Sequence, residues 1–144
     1  MIKNERQYRI TRAQAEKFAN ALKERKASPK GDVHPMLRRA QTEGLQSQLG
    51  DLQREIEEYE TLRSGKRKVV EIGSLEELPQ ALIQARIAAG LSQEELAAKL
   101  GLKAQQIQRY EATDYQSANL ERVNEIARVL GVKLRHPAEL RLVS

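Results

Sequence analysis

Apolar positions along the chain recur at helical spacing, and polar punctuation sorts them into two groups. In the first group, Ala15, Phe18, Ala19 and Leu22 line one face of a predicted helix. Thr11-Arg12-Ala13-Gln14 just before them reads as a capping box, which predicts that this helix opens at Thr11. Ser28-Pro29-Lys30-Gly31-Asp32 breaks the pattern as a loop. Pro35 then suits the first turn of a second, longer helix. Within it Leu45, Leu49, Leu52, Ile56 and Tyr59 follow a 4, 3, 4, 3 spacing, a heptad seam flanked by Arg54, Glu55, Glu57, Glu58 and Glu60. Leu62-Arg63-Ser64-Gly65 ends the helix at a glycine.

Two amphipathic helices bury little surface alone, so residues 1–65 need a further surface. That surface is either the rest of this chain or the same hairpin in a second subunit. Dimerisation through Leu45, Leu49, Leu52, Ile56 and Tyr59 is expected.

Lys66-Arg67-Lys68-Val69-Val70-Glu71-Ile72 is basic and then β-branched, and residues 66–73 read as a connector, either a short strand or an ordered linker. The second apolar group starts at Ser74-Leu75-Glu76-Glu77, another capping-box pattern, with Pro79 either tolerated or marking the true helix start. Four helical segments are expected near Leu75–Ala89, Gln93–Leu100, Ala104–Ala112 and Leu120–Leu130. Gly90-Leu91-Ser92, Gly101-Leu102-Lys103 and the polar run Thr113–Asn119 separate them. Ser92 with Glu95 forms a third capping box, Asn119 is a good N-cap, and Gly131 closes the last segment. Residues 74–134 therefore read as one domain and 135–144 as a tail, either crossing to another subunit or loosely attached.

Composition narrows the classes. The 144 residues include no Cys, which excludes disulfides and cysteine zinc sites. No apolar run approaches the roughly 18 residues of a membrane span, and the charged N-terminus lacks the apolar core of a secretory signal. A cytoplasmic protein without membrane partners is expected. The net charge of +5, from 25 basic and 20 acidic residues, permits nucleic-acid binding without establishing it. The two histidines, His34 and His136, each precede a proline and stand apart from any carboxylate cluster. No phosphate loop, nucleophile elbow or metal-ligand spacing occurs, so neither an enzyme nor a metal or cofactor is expected.

The segment from Ser92 to Glu111 holds two short helices joined by a three- to four-residue turn with glycine, the anatomy of a helix-turn-helix. Leu96, Leu100, Leu102, Ile107 and Tyr110 can share one apolar core. Ala97 is small where two helices approach, and Gly101 relieves the turn. Ala104, Gln105, Gln106, Gln108 and Arg109 fall away from the Ile107/Tyr110 side. Glutamine can pair bidentately with adenine and arginine with guanine in the major groove. Ser92, Gln93 and Lys103 sit at helix starts, where they can meet phosphate, and Gln108 is assigned to the backbone with them.

These pieces in register resemble the XRE (lambda-repressor/Cro-like) helix-turn-helix family. They are Gly90-Leu91-Ser92-Gln93-Glu94-Glu95-Leu96-Ala97, Lys99-Leu100-Gly101 and Ile107-Gln108-Arg109-Tyr110-Glu111, within a stretch from about Leu78 to Leu134. The resemblance implies that Ala104, Gln105, Gln106 and Arg109 occupy or border base-reading positions and that Gln93 lies near the DNA backbone. It implies that Arg86 and Glu111 form a partly buried structural ion pair. Ala112-Thr113-Asp114-Tyr115 departs from the Asn-Gly that usually follows the glutamate in this family, and Ala104 is small where relatives often carry a polar reader.

The resulting expectation is an all-α protein: an N-terminal helical hairpin, then a compact four- to five-helix lambda-repressor-like DNA-binding domain. As a homodimer it would read a near-palindrome on double-stranded DNA and repress transcription. The order of the regions also resembles some HigA-type antitoxins, which implies a ribonuclease toxin as an alternative partner.

Overall fold

The computed structural model describes residues 1–28, 31, 33–137, 139 and 142. Among these the secondary structure is helical, with no β-strand, and the chain divides into two compact units, Met1–Lys66 and Arg67–Ser144. Pro29, Lys30 and Asp32 of the expected loop, and Ala138, Leu140, Arg141, Val143 and Ser144 of the expected tail, lie outside the described residues.

The first unit is a hairpin of α1 (Glu5–Ala27) and α2 (Pro35–Arg63). The expected start at Thr11 is corrected: α1 begins six positions earlier. Asn4 Oδ1 accepts the Gln7 N–H at 2.9 Å and Gln7 Oε1 accepts the Lys3 N–H at 2.8 Å, so an Asn-x-x-Gln pattern does what Thr11-x-x-Gln14 was expected to do. Tyr8 makes the added turns worthwhile. Its buried ring stacks on Tyr59 with centroids 5.0 Å apart, its hydroxyl donates to Glu60, and the Arg63 guanidinium lies 5.0 Å from its centroid. At the far end Arg38 donates to the carbonyls of Arg25 and Ser28 at 2.7 and 3.0 Å, satisfying C-terminal acceptors of α1.

With Tyr8 level with Tyr59 and the helices antiparallel, equal steps along each bring Ala15 level with Leu52 and Leu22 level with Leu45. Ala15, Leu22 and Tyr59 are buried, and Leu45, Leu49, Leu52 and Ile56 are half-buried. The heptad seam thus lies against α1 of its own chain. Gly44 and Gly50 fall mid-helix in α2, each weakening it by about 0.5–1 kcal/mol relative to Ala, yet an added Cβ would meet nothing within 4 Å at either.

The second unit starts with a single 3₁₀ turn, Leu75–Glu77, followed by α3 (Leu78–Ala88), α4 (Gln93–Lys99), α5 (Ala104–Ala112) and α6 (Leu120–Val129). The capping box expected at Ser74 is corrected, because the Ser74 side chain makes no cap bond and Glu77 Oε2 accepts from the Gly73 N–H at 2.7 Å. Proline is the reason. An α-helix begun at Leu75 needs an N–H at position 79, which Pro79 lacks, so the α-helix opens at Leu78 with Pro79 in its first turn. Lys66–Ile72 takes the linker form, without strand. Leu82, Ile83, Ile87, Leu96, Ala97, Ile107, Tyr115 and Ile126 form the buried core.

One closure recurs at the ends of these helices. Leu102 N–H bonds the Ala97 carbonyl at 2.9 Å and Gly101 N–H the Ala98 carbonyl at 3.2 Å, the Schellman pairing, with Gly101 at φ +67°. At the end of α5 the same pairing occurs without glycine: Tyr115 N–H bonds the Tyr110 carbonyl at 2.7 Å and Asp114 takes φ +46°. Tyr115 itself sits at φ +60°, a conformation costing a non-glycine residue about 1–2 kcal/mol. Its buried ring, stacked 6.1 Å from Tyr110, offsets that cost. This is how the chain turns where the family pattern has Asn-Gly.

Candidate nucleic-acid interface

The helix-turn-helix is α4, its turn and α5. Ser92 caps α4 with a complete box: Ser92 Oγ accepts the Glu95 N–H at 3.1 Å, and Glu95 Oε2 accepts the Ser92 N–H at 2.7 Å. That backbone hydrogen bond to its charged form holds the Glu95 carboxyl below its ordinary value. Leu96 and Ile107 are fully buried between the two helices, with Leu100, Leu102 and Tyr110 half-buried around them.

A polar network sets how α5 sits on α3 and α4. Arg86 Nε and Nη2 donate to the two Glu111 carboxylate oxygens at 2.5 and 2.8 Å, and Nη1 donates to the Leu91 carbonyl at 2.8 Å. Gln93 Nε2 adds a third donor to Glu111 at 2.7 Å. The pair is not partly but wholly buried, with 3% and 0% side-chain exposure. An unpaired charge there would be costly, so each partner depends on the other staying in place.

Gln93, expected beside the phosphates, is 7% exposed and points its amide at Glu111, so its side chain serves this scaffold. No signal near Gln93 in the sequence points to this role, because its partner Glu111 stands 18 positions away. Ser92 is exposed at the start of α4 and Lys103 at the start of α5.

On α5 itself, Gln105, Gln108 and Arg109 are exposed and share one outward face, while Ala104 is half-buried at its flank. Gln106 is exposed on the other flank, and its Oε1 accepts the Lys103 N–H at 3.1 Å. Half of the carboxamide needed for a bidentate adenine contact is therefore engaged in capping its own helix. The one acidic residue of α5 is Glu111, and it is turned inward onto Arg86. The outward face therefore carries no negative charge.

The helix-turn-helix family model matches residues 82–136. This part of the chain is a helix-turn-helix domain of the XRE type, a DNA-binding class. The chain is a DNA-binding transcriptional regulator. No curated protein and no solved structure matches it significantly. No helix among the described residues is long and apolar enough to cross a membrane.

Proposed function

We propose that the protein is a cytoplasmic, dimeric repressor that reads a near-palindromic operator in double-stranded DNA by inserting α5 into the major groove. One observation carries this reading. The exposed face of α5 presents Gln105, Gln108 and Arg109 with the only acid of the helix buried and neutralised, which suits an electronegative groove. Gln105 and Arg109 are the base readers, Gln106 reads once released from its cap, and Ala104 borders them within reach of a thymine methyl. Ser92, Lys103 and Gln108 hold phosphate. Gln93 acts on the DNA through the scaffold it completes.

A single recognition helix reads only a few base pairs, so two subunits related by a two-fold axis are required. Their half-sites would lie about 34–36 Å apart. Selection of bound sequences from random DNA tests the reading. A motif with two inverted halves at one-turn spacing is the expected result, and recovery of no enriched motif overturns it.

A separate helical unit ahead of the DNA-binding unit favours one second reading, an antitoxin that also holds a ribonuclease toxin. Co-expression with a small basic protein encoded beside this gene decides it. A stable complex that silences ribonuclease activity supports that reading, and independent behaviour of the two proteins excludes it.

A further inference from the structure

The dimer reading requires a surface, and the leucine seam first expected to supply it lies against α1. The opposite face of α2 is a second heptad line: Met36, Ala40, Glu43, Ser47, Gly50 and Arg54, spaced 4, 3, 4, 3, 4. All are exposed except the half-buried Gly50, and Met36 is 76% exposed. Resting on the dimer reading, we propose that a second copy of this chain docks on this face, its α2 antiparallel to the first about a two-fold axis between Ser47 and Gly50.

The charge order along the face supports this docking. A two-fold interface must be complementary to itself: whatever stands at one distance before the axis meets what stands at the same distance beyond it. Glu43 precedes Ser47 by four positions, and Arg54 follows Gly50 by four. Antiparallel pairing therefore sets Glu43 of each copy against Arg54 of the other, giving two opposite-charge pairs from a single register. Both side chains are free to turn outward, at 59% and 77% exposure. Their present partners, Arg39 and Asp51, are neighbours on the same helix in solvent, and such exposed pairs hold weakly. At the axis, Ser47 meets Gly50, two small residues that let the backbones approach. Gly50 has no use within its own chain, where a Cβ would find open space.

Sedimentation equilibrium of the full chain, with circular dichroism to confirm helicity, tests the proposal. Glu43→Arg and Arg54→Glu should each weaken the dimer by at least about tenfold, since each places like charges in both pairs. The double variant exchanges the charges and should return to within about threefold of the natural chain. If a reversal disturbs the helix, Glu43→Gln and Arg54→Gln should weaken association in the same direction. A dimer indifferent to both reversals, or a double variant that fails to recover, overturns this docking face and leaves the dimer reading standing. A natural chain that stays monomeric on and off its DNA overturns the dimer reading itself.

Discussion

Arg86 and Glu111, 25 positions apart, meet in a two-bond ion pair at the junction of α3 and α5, with 3% and 0% exposure. Three donors converge on the carboxylate, from Arg86 and from Gln93 of α4, so all three helices are tied at one point. Removing Arg86 leaves the carboxylate buried without its charge partner. Arg86→Ala is expected to lower unfolding stability by about 3–5 kcal/mol, measured by urea titration. Gln93→Ala takes away a hydrogen bond to a charged acceptor and should cost less, about 1.5–3 kcal/mol. An Arg86→Ala domain as stable as the natural one would refute the scaffold role.

Tyr115 makes the opposite case, a buried polar group without a partner. Its hydroxyl finds no hydrogen bond among the described residues. Burial, with the Glu111 carboxylate close by, pushes its ionisation well above the usual tyrosine range, while Arg86 pulls the other way. Tyr115→Phe should therefore be neutral, or stabilising by up to about 1 kcal/mol, at pH 7. The pH dependence has a definite sign. In the unfolded chain this tyrosine releases its proton near pH 10, as tyrosines ordinarily do, whereas the folded chain retains it. Stability contributed by Tyr115 is complete below about pH 10 and falls as pH rises past it. Urea titrations from pH 8 to 11 should show a shallower alkaline loss in Tyr115→Phe. A loss exceeding about 1 kcal/mol at pH 7 would mean that the hydroxyl does have a partner.

Much of the fold was legible because local chemistry and tertiary packing agree. Ser92 and Glu95 form the box their spacing promises, and Gly90, Gly101 and Gly131 sit at positive φ where the helices end. The misreadings share a cause: a distant partner decided between two local options. Asn4-x-x-Gln7 and Thr11-x-x-Gln14 are equivalent boxes by pattern, and Tyr59, more than fifty positions away, selects the first by stacking on Tyr8. The seam from Leu45 to Tyr59 was visible as a stripe, but a stripe does not name what covers it. Gln93 looked like a surface residue because nothing local shows that Glu111 is turned toward it. Asp114 tolerates positive φ better than most residues, but a tyrosine rarely adopts it, so the Asp114-Tyr115 pair could not be read as a helix closure.

Lys103 caps no group with its side chain and stands exposed at the start of α5. A lysine that neutralises one phosphate contributes to binding whatever the sequence. Lys103→Ala should weaken binding to operator and random DNA alike. It should also reduce the slope of log affinity against log salt by about one unit. Titrations by fluorescence anisotropy at several salt concentrations measure both. A loss confined to the operator would reassign Lys103 to base reading.

The hydrogen bond from the Lys103 N–H to Gln106 separates the polar residues of α5 into two kinds, and mutation should separate them too. Gln105 and Arg109 make no side-chain bond in the described structure and lie one turn apart on the exposed face. Gln105→Ala with Arg109→Ala should leave the melting temperature unchanged. Preference for the selected operator should fall by about 1–3 kcal/mol for each base pair no longer read. Gln106→Ala should behave differently, because its Oε1 satisfies a backbone donor at the helix start. Loss of that cap is expected to cost about 0.5–2 kcal/mol of stability, alongside whatever specificity Gln106 carries once its amide is free to face a base. Thermal melts together with competition binding against a scrambled operator distinguish the two. If the double variant keeps full operator preference, the outward face of α5 is not the reading surface.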